Sequence, residues 1–265
     1  MSSPVTLNFA AANGFCGGSY DTFLAPFRAD FDVRVMDRLG HDPAFPVGAG
    51  WEHLSRQLEQ HLAQLPRPLI GMGHSLGGVL TYLVAQRRPE WFHAVVMLDP
   101  PLINGVQGWL MRLGRWLGQV DRMVPSLASE RRRRQWPDPQ AMQDYFSRRP
   151  FFQRFDADCL QDYIASSIEA DGQGGCRLRF DPAVEAAVFR HTPTSLERMP
   201  RLQVPGLLVS GTESDALFRT GARRHVRRQR MTWAEAPGSH MFVLEQPGPA
   251  AAPVLEFLAA YGGRR

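Results

Sequence analysis

The segment Leu69-Ile-Gly-Met-Gly-His-Ser-Leu-Gly-Gly78 constrains the fold more than any other part of the chain. An apolar run enters it. A helical pattern from Ser75 to about Arg88 leaves it, and Pro89 fits a stop. Between them lies Gly73-His74-Ser75-Leu76-Gly77, a Gly-x-Ser-x-Gly pattern. A turn that passes from strand to helix so abruptly strains the backbone at its apex. Glycines two before and two after Ser75 remove the Cβ atoms that would collide there. The Ser75 hydroxyl is then held at a helix N-terminus, where partial positive charge favours a developing anion. A serine that merely caps the helix is the plainer alternative. The paired glycines and the preceding strand favour a nucleophile. His74 is expected to pack, because adjacent residues on a turn point apart.

Further apolar runs bounded by turn residues occur at Val5–Phe9, Val33–Met36, Ala94–Leu98 and Leu207–Val209. Helical patterns separate several of them. One is Trp51–Leu65, with Trp51, Leu54, Leu58, Leu62 and Leu65 at helical spacing. This alternation predicts an α/β fold with a mostly parallel sheet flanked by helices. It breaks between Pro101 and Pro200, where no convincing buried strand is visible. Gly108–Val120 is amphipathic there, with Trp109, Leu113, Trp116, Leu117 and Val120 on one side and Arg112 and Arg115 off it. About 100 residues is too long for a plain loop. Residues 102–200 are therefore expected to be a mostly helical insertion, with residues 1–101 and 201–265 forming the core.

Composition excludes several classes. The 265-residue chain is 44% apolar, which rules out disorder, and no stretch approaches the ~20 apolar residues of a membrane span. The first ten residues show no basic segment followed by an apolar one, so no secretory signal is expected and the cytoplasm is the expected compartment. Cys16, Cys159 and Cys176 are too few and too scattered for a disulfide framework or a zinc site. No metal or other cofactor is expected. All 30 basic residues are arginine, which excludes a lysine Schiff base and a phosphate loop ending in Gly-Lys-Ser/Thr. The net charge of +4 and the run Arg131–Arg134 come with no nucleic-acid-binding motif, so the run reads as a solvated helix face.

Gly-His-Ser-Leu-Gly-Gly resembles the nucleophile elbow of the α/β-hydrolase superfamily. The resemblance extends over essentially the whole chain, and the insertion would be the family's cap. It implies a catalytic triad in the chain order serine, acid, histidine. The serine needs a general base, and the base needs an orienting carboxylate. His240, in Ala236-Pro-Gly-Ser-His-Met241, resembles the family's C-terminal histidine loop. His225, set among arginines, is expected to be solvated. Leu207-Leu-Val-Ser-Gly-Thr-Glu-Ser-Asp215 resembles the usual acid loop, so Asp215 is the expected acid. Asp99, ending the strand after the nucleophile's, is the alternative, because some members place the acid there.

The resemblance also implies an oxyanion hole formed by the backbone N–H groups of Leu76 and Phe15. Asn13 replaces the histidine usual in the Phe15 loop and is expected to brace it through its side-chain amide. Asp37 and His41, in a second family-like loop, are expected to be structural. The implied activity is hydrolysis of a small or medium apolar carboxylic ester through an acyl-enzyme. Thioester or carbon–carbon bond hydrolysis would use the same triad. A non-catalytic member that binds a ligand or partner is the alternative of another class, and the filled triad positions count against it. Trp109, Trp116 and Phe151 are expected to line the substrate pocket, with cap–core packing as the plain alternative.

Overall fold

A computed structural model describes residues 4–261. Its central sheet has six strands: β1 (Thr6–Ala10), β2 (Asp32–Val35), β3 (Leu69–His74), β4 (Phe92–Leu98), β8 (Gly206–Gly211) and β9 (Thr232–Ala236). They lie in the order β2-β1-β3-β4-β8-β9, and every neighbouring pair is parallel. Side chains alternate between two apolar layers, as the period of a strand requires. Leu7, Phe9, Ile70, Met72, Val96 and Val209 enter one layer, and Leu69, Val95, Met97 and Leu208 enter the other. Burial on both faces accounts for the near-continuous apolar runs.

Helices α1 (Asp21–Leu24) and α12 (Pro247–Leu258) cover the first face. Helices α2 (Glu52–Leu62), α3 (Leu76–Arg87) and α10 (Ala216–Gln229) cover the second. Helix α3 is buried all round from Leu76 to Ala85, so it acts as a core element rather than an amphipathic cover. The short helix α11 (Phe242–Glu245) precedes α12, which starts at Pro247 because a proline in the first turn forfeits no hydrogen bond.

Between β4 and β8 the chain forms α4 (Gly105–Trp116), α5 (Ser126–Glu130), α6 (Pro139–Ser147), α7 (Pro150–Gln153), α8 (Ala157–Ser167) and α9 (Pro182–Arg190). Asp138, Asp156 and Asp181 cap α6, α8 and α9 by accepting from first-turn N–H groups. The same stretch holds a three-stranded antiparallel sheet, β5 (Gln135–Trp136), β6 (Ile168–Ala170) and β7 (Cys176–Leu178), in the order β5-β7-β6. Strands of two or three residues carry no readable periodicity, and the sequence did not suggest them.

The strand order reverses direction at β1. Its successor β2 lies on one side, while β3, β4, β8 and β9 follow on the other. Such a switch point leaves a crevice beyond the carboxyl ends of the strands. The loop after β1 and the turn after β3 meet there.

Candidate active site

Ser75 sits at the apex between β3 and α3 with φ 51° and ψ −112°, a conformation that L-residues rarely adopt. Its neighbours make the turn possible. A Cβ on Gly77 would collide with the carbonyl of Ala10, and one on Gly73 would collide with the Gly77 backbone. A Cβ on Gly78 would lie 2.8 Å from the Gly73 oxygen. The strained apex is tied down by Ser75 N–H donating to Leu98 O at 2.8 Å. Elbow and β4 are thereby fixed to each other.

That tie brings in the acid. Asp99 follows Leu98 directly, and the β3–β4 register pairs His74 with Leu98. His240 reaches the same place from the loop after β9. Its Nδ1–H donates to Asp99 Oδ2 at 2.7 Å, and Ser75 Oγ donates to its Nε2 at 3.0 Å. Because a carboxylate can only accept, it sets this tautomer and leaves Nε2 free to receive the serine proton. Asp99 is buried and also accepts from Ser210 Oγ at 2.6 Å and Ser214 Oγ at 2.9 Å. Burial pushes its carboxyl pKa up. The hydrogen bonds from His240, Ser210 and Ser214, with the nearby imidazole, outweigh burial and hold it below the ordinary value. Asp99 is itself strained, at φ 41°.

The expectation for Asp215 is therefore corrected. Its carboxylate accepts from Phe218 N–H at 3.4 Å at the start of α10, while the carboxylate on His240 is Asp99. Parallel pairing of β3 with β4 sets Asp99 beside the serine. The end of β8 and the loop after it offer that carboxylate two hydroxyls, Ser210 and Ser214, instead of a second acid.

The histidine loop is braced from outside. Ser239 donates through N–H and Oγ to Glu245 at 2.8 and 2.6 Å. Arg154, from the inserted segment, pairs with Glu245 at 2.8 Å and with Glu213 at 2.6 Å. From inside, His74 is fully buried, and its Nε2–H donates to the His240 carbonyl at 2.8 Å. Its Nδ1 must then accept from Tyr20 Oη–H at 2.9 Å, and Tyr20 Oη accepts from Ala12 N–H at 3.2 Å. Burial, helped by the neighbouring His240, pushes the His74 pKa down to about 3. A neutral imidazole thus links the loop after β1, the elbow and the histidine loop. From the sequence alone His74 reads as a packing residue, because its polar partners lie far away along the chain.

Leu76 opens α3, where first-turn N–H groups have no intrahelical acceptor. Phe15 N–H donates to Ala12 O at 3.3 Å, a long bond that closes the turn after β1. Asn13 Nδ2 donates to Glu185 O at 2.9 Å and so fastens this turn to α9. The Phe15 ring packs on Tyr163 and Phe155, with centroids 5.2 and 6.3 Å away. Asp37 pairs with Arg179 at 2.7 Å, and His41 Nε2 accepts from Asp181 N–H at 2.9 Å.

Three further expectations need correction. Trp109, Trp116 and Phe151 stand exposed at the surface and are not enclosed around Ser75. The buried aromatics between β4 and β8 include Phe155 and Tyr163, which pack on Phe15, and Phe152, which packs on both of them. His225 is buried against Tyr82, because its helix turns that side onto α3; both of its ring nitrogens lack a partner among the described residues. Arg132, in the arginine run, is drawn in between Glu185, at 2.9 Å, and the Tyr163 hydroxyl. Among the described residues, no group of three or more His, Cys, Asp or Glu side chains is placed to hold a metal ion.

Comparison with known proteins places the chain in a family. The sequence pattern of the Alpha/beta hydrolase family matches residues 10–253. A serine hydrolase-like protein of Dictyostelium discoideum is 23% identical over 259 residues, covering 89% of this chain and 70% of that protein. A type I acyl-CoA thioesterase of Penicillium brevicompactum is 32% identical over 75 residues, only 26% of this chain and 17% of the other. Among solved structures, E-2-(acetamidomethylene)succinate hydrolase superposes with a TM-score of 0.77 at 20% identity, covering 97% of this chain and 92% of the other.

Proposed function

The chain belongs to the Alpha/beta hydrolase family, and we propose that it is a serine hydrolase cleaving small or medium apolar carboxylic esters through an acyl-enzyme. The observation that carries this reading is the unbroken hydrogen-bond chain from Ser75 Oγ through the His240 ring to Asp99. In the first step Ser75 Oγ attacks the ester carbonyl, and its proton passes to His240 Nε2. Asp99 stabilises the imidazolium across Nδ1. The oxyanion takes the N–H of Leu76 and that of Phe15, which exchanges its long bond to Ala12 for a stronger one to a charge. The C–O bond then breaks, and the leaving alcohol takes the proton from Nε2. Water, activated by the same nitrogen, attacks the acyl-serine and releases the acid, restoring Ser75.

Thioester hydrolysis is the second reading, favoured by the segment similar to the acyl-CoA thioesterase. It needs the same groups and a better leaving group. Two measurements decide. A fluorophosphonate probe should label wild-type protein and leave Ser75→Ala unlabelled. Paired oxygen and thiol esters of one acyl group should then rank the substrates by kcat/KM. Labelling retained in Ser75→Ala would overturn the assignment of the nucleophile.

A further inference from the structure

Helix α4 is amphipathic the wrong way round for a water-soluble cover. Its inward stripe is Gly108, Met111 and Gly114, spaced three residues apart. A Cβ on Gly108 would lie 2.5 Å from Thr194 O, so the glycine permits close approach to the rest of the insertion. On this same side the arginines bend back onto backbone carbonyls of the protein. Arg112 donates to Thr194 O at 3.0 Å, and Arg115 donates to the carbonyls of Arg190, at 2.7 Å, and Thr192. The outward side carries the large apolar groups. Val106 is 74% exposed, Trp109 55%, Trp116 81% and Leu117 54%, and the exposed Met123 and Leu127 extend the surface beyond the helix end. An ordinary surface helix does the reverse. A contiguous apolar surface of this kind marks an interaction site.

Charge identifies the occupant. Helix α4 contains no acidic residue, and Arg122 and Arg224 stand exposed beside its two ends without a carboxylate partner among the described residues. Of the carboxylates nearby, Asp121 and Glu130 pair with Arg190 at 2.6 and 2.7 Å, and Glu197 accepts from Gly105 N–H at 3.3 Å. Two copies meeting through this face would set arginine against arginine. An anionic bilayer supplies both an apolar interior for the tryptophans and phosphates for the guanidinium groups. Tryptophan also favours the headgroup boundary. No helix among the described residues is long and apolar enough to cross a membrane, so contact of this kind lies along the surface.

We propose that the outward face of α4 docks the protein on anionic lipid surfaces, with Val106, Trp109, Trp116 and Leu117 entering the headgroup boundary and the flanking arginines meeting lipid phosphates. The test is flotation of purified full-length protein with vesicles of phosphatidylglycerol and phosphatidylcholine in equal parts, beside vesicles of phosphatidylcholine alone. The expected result is co-flotation with the mixed vesicles, weaker binding to the neutral ones, and quenching of tryptophan emission by brominated lipid. Val106→Asp/Trp116→Asp should lower affinity for the mixed vesicles about tenfold or more, since two apolar side chains are lost and two negative charges face anionic headgroups. Its far-UV circular dichroism and its turnover of a water-soluble ester should match wild type. Absence of vesicle binding overturns the proposal. So does binding that the double variant leaves intact, because arginine charge alone would then explain it. A concentration-dependent dimer that the double variant abolishes, without vesicle binding, would assign the face to a second copy and also overturn it.

Discussion

Replacing Asp99 by asparagine separates the two candidate acids. Asp99 accepts three hydrogen bonds, from Ser210 at Oδ1 and from Ser214 and His240 Nδ1 at Oδ2. Asparagine has one acceptor oxygen, so its NH2 must face one of these donors. Should it face Ser210, that hydroxyl can rotate and accept, and the imidazole keeps its tautomer. Catalysis then loses only the charge that stabilises imidazolium. Should it face His240, Nδ1 must give up its proton to Nε2, which can no longer take one from Ser75. These two outcomes bracket a fall in kcat/KM of about 10²–10⁴, or about 3–5 kcal/mol of transition-state stabilisation. Asp215→Asn serves as the control. Asparagine caps a helix about as well as aspartate, so its kcat/KM should stay within about twofold of wild type. Initial rates on p-nitrophenyl butyrate measure both variants. A value for Asp99→Asn within tenfold of wild type, or a crippled Asp215→Asn, would refute the reasoning.

Other perturbations probe the frame around the site. Gly77→Ala forces a Cβ onto the Ala10 carbonyl and should cost about 3 kcal/mol or more in chemical denaturation, or leave no folded protein. Tyr20→Phe strips partners from Ala12 N–H and His74 Nδ1, so a loss of about 1–3 kcal/mol in stability is expected, with kcat falling more than KM rises. Burial, with a lesser contribution from Arg228, pushes His225 from 6.5 down to about 4. The unfolded chain therefore binds the extra proton between those values, and stability falls as pH drops through that window by about 3 kcal/mol. His225→Phe should lessen that slope in urea titrations, leaving the part due to buried His74, and match or exceed wild-type stability at pH 7. An unchanged slope would show that His225 is not the buried titrating group.

What was legible in the sequence was whatever a local steric or periodic rule dictates. The elbow could be read because only glycine fits beside Ser75, and the strands because they are buried on both faces. His240 stood in a small-residue loop with few competitors. The acid was not legible by the same means, since Asp99 and Asp215 both follow apolar strands. The discriminating facts are the pairing of β3 with β4 and the hydroxyls of Ser210 and Ser214, which meet Asp99 only in three dimensions. For α4, periodicity revealed an apolar stripe but not which side of the helix faces the protein. The glycines at 108 and 114 carried that information, as sites of close approach. For His225, the arginines on either side suggested solvent, yet Ala222, Val226 and Gln229 share its buried side of α10.

The position of Asp99 also sets the order in which the site comes into being. The proposed nucleophile and acid ride on one strand–helix–strand unit, β3–α3–β4, whose contacts are local and therefore quick to form. His240 lies 141 residues beyond Asp99. A ribosome adding about 5–20 residues per second needs several seconds or more to reach it, after the whole insertion has emerged. On the proposed triad, the growing chain would carry Ser75 without its base throughout that interval. The proposed triad would then be completed in a single late event, when the last strand and its histidine loop close onto the elbow and Asp99.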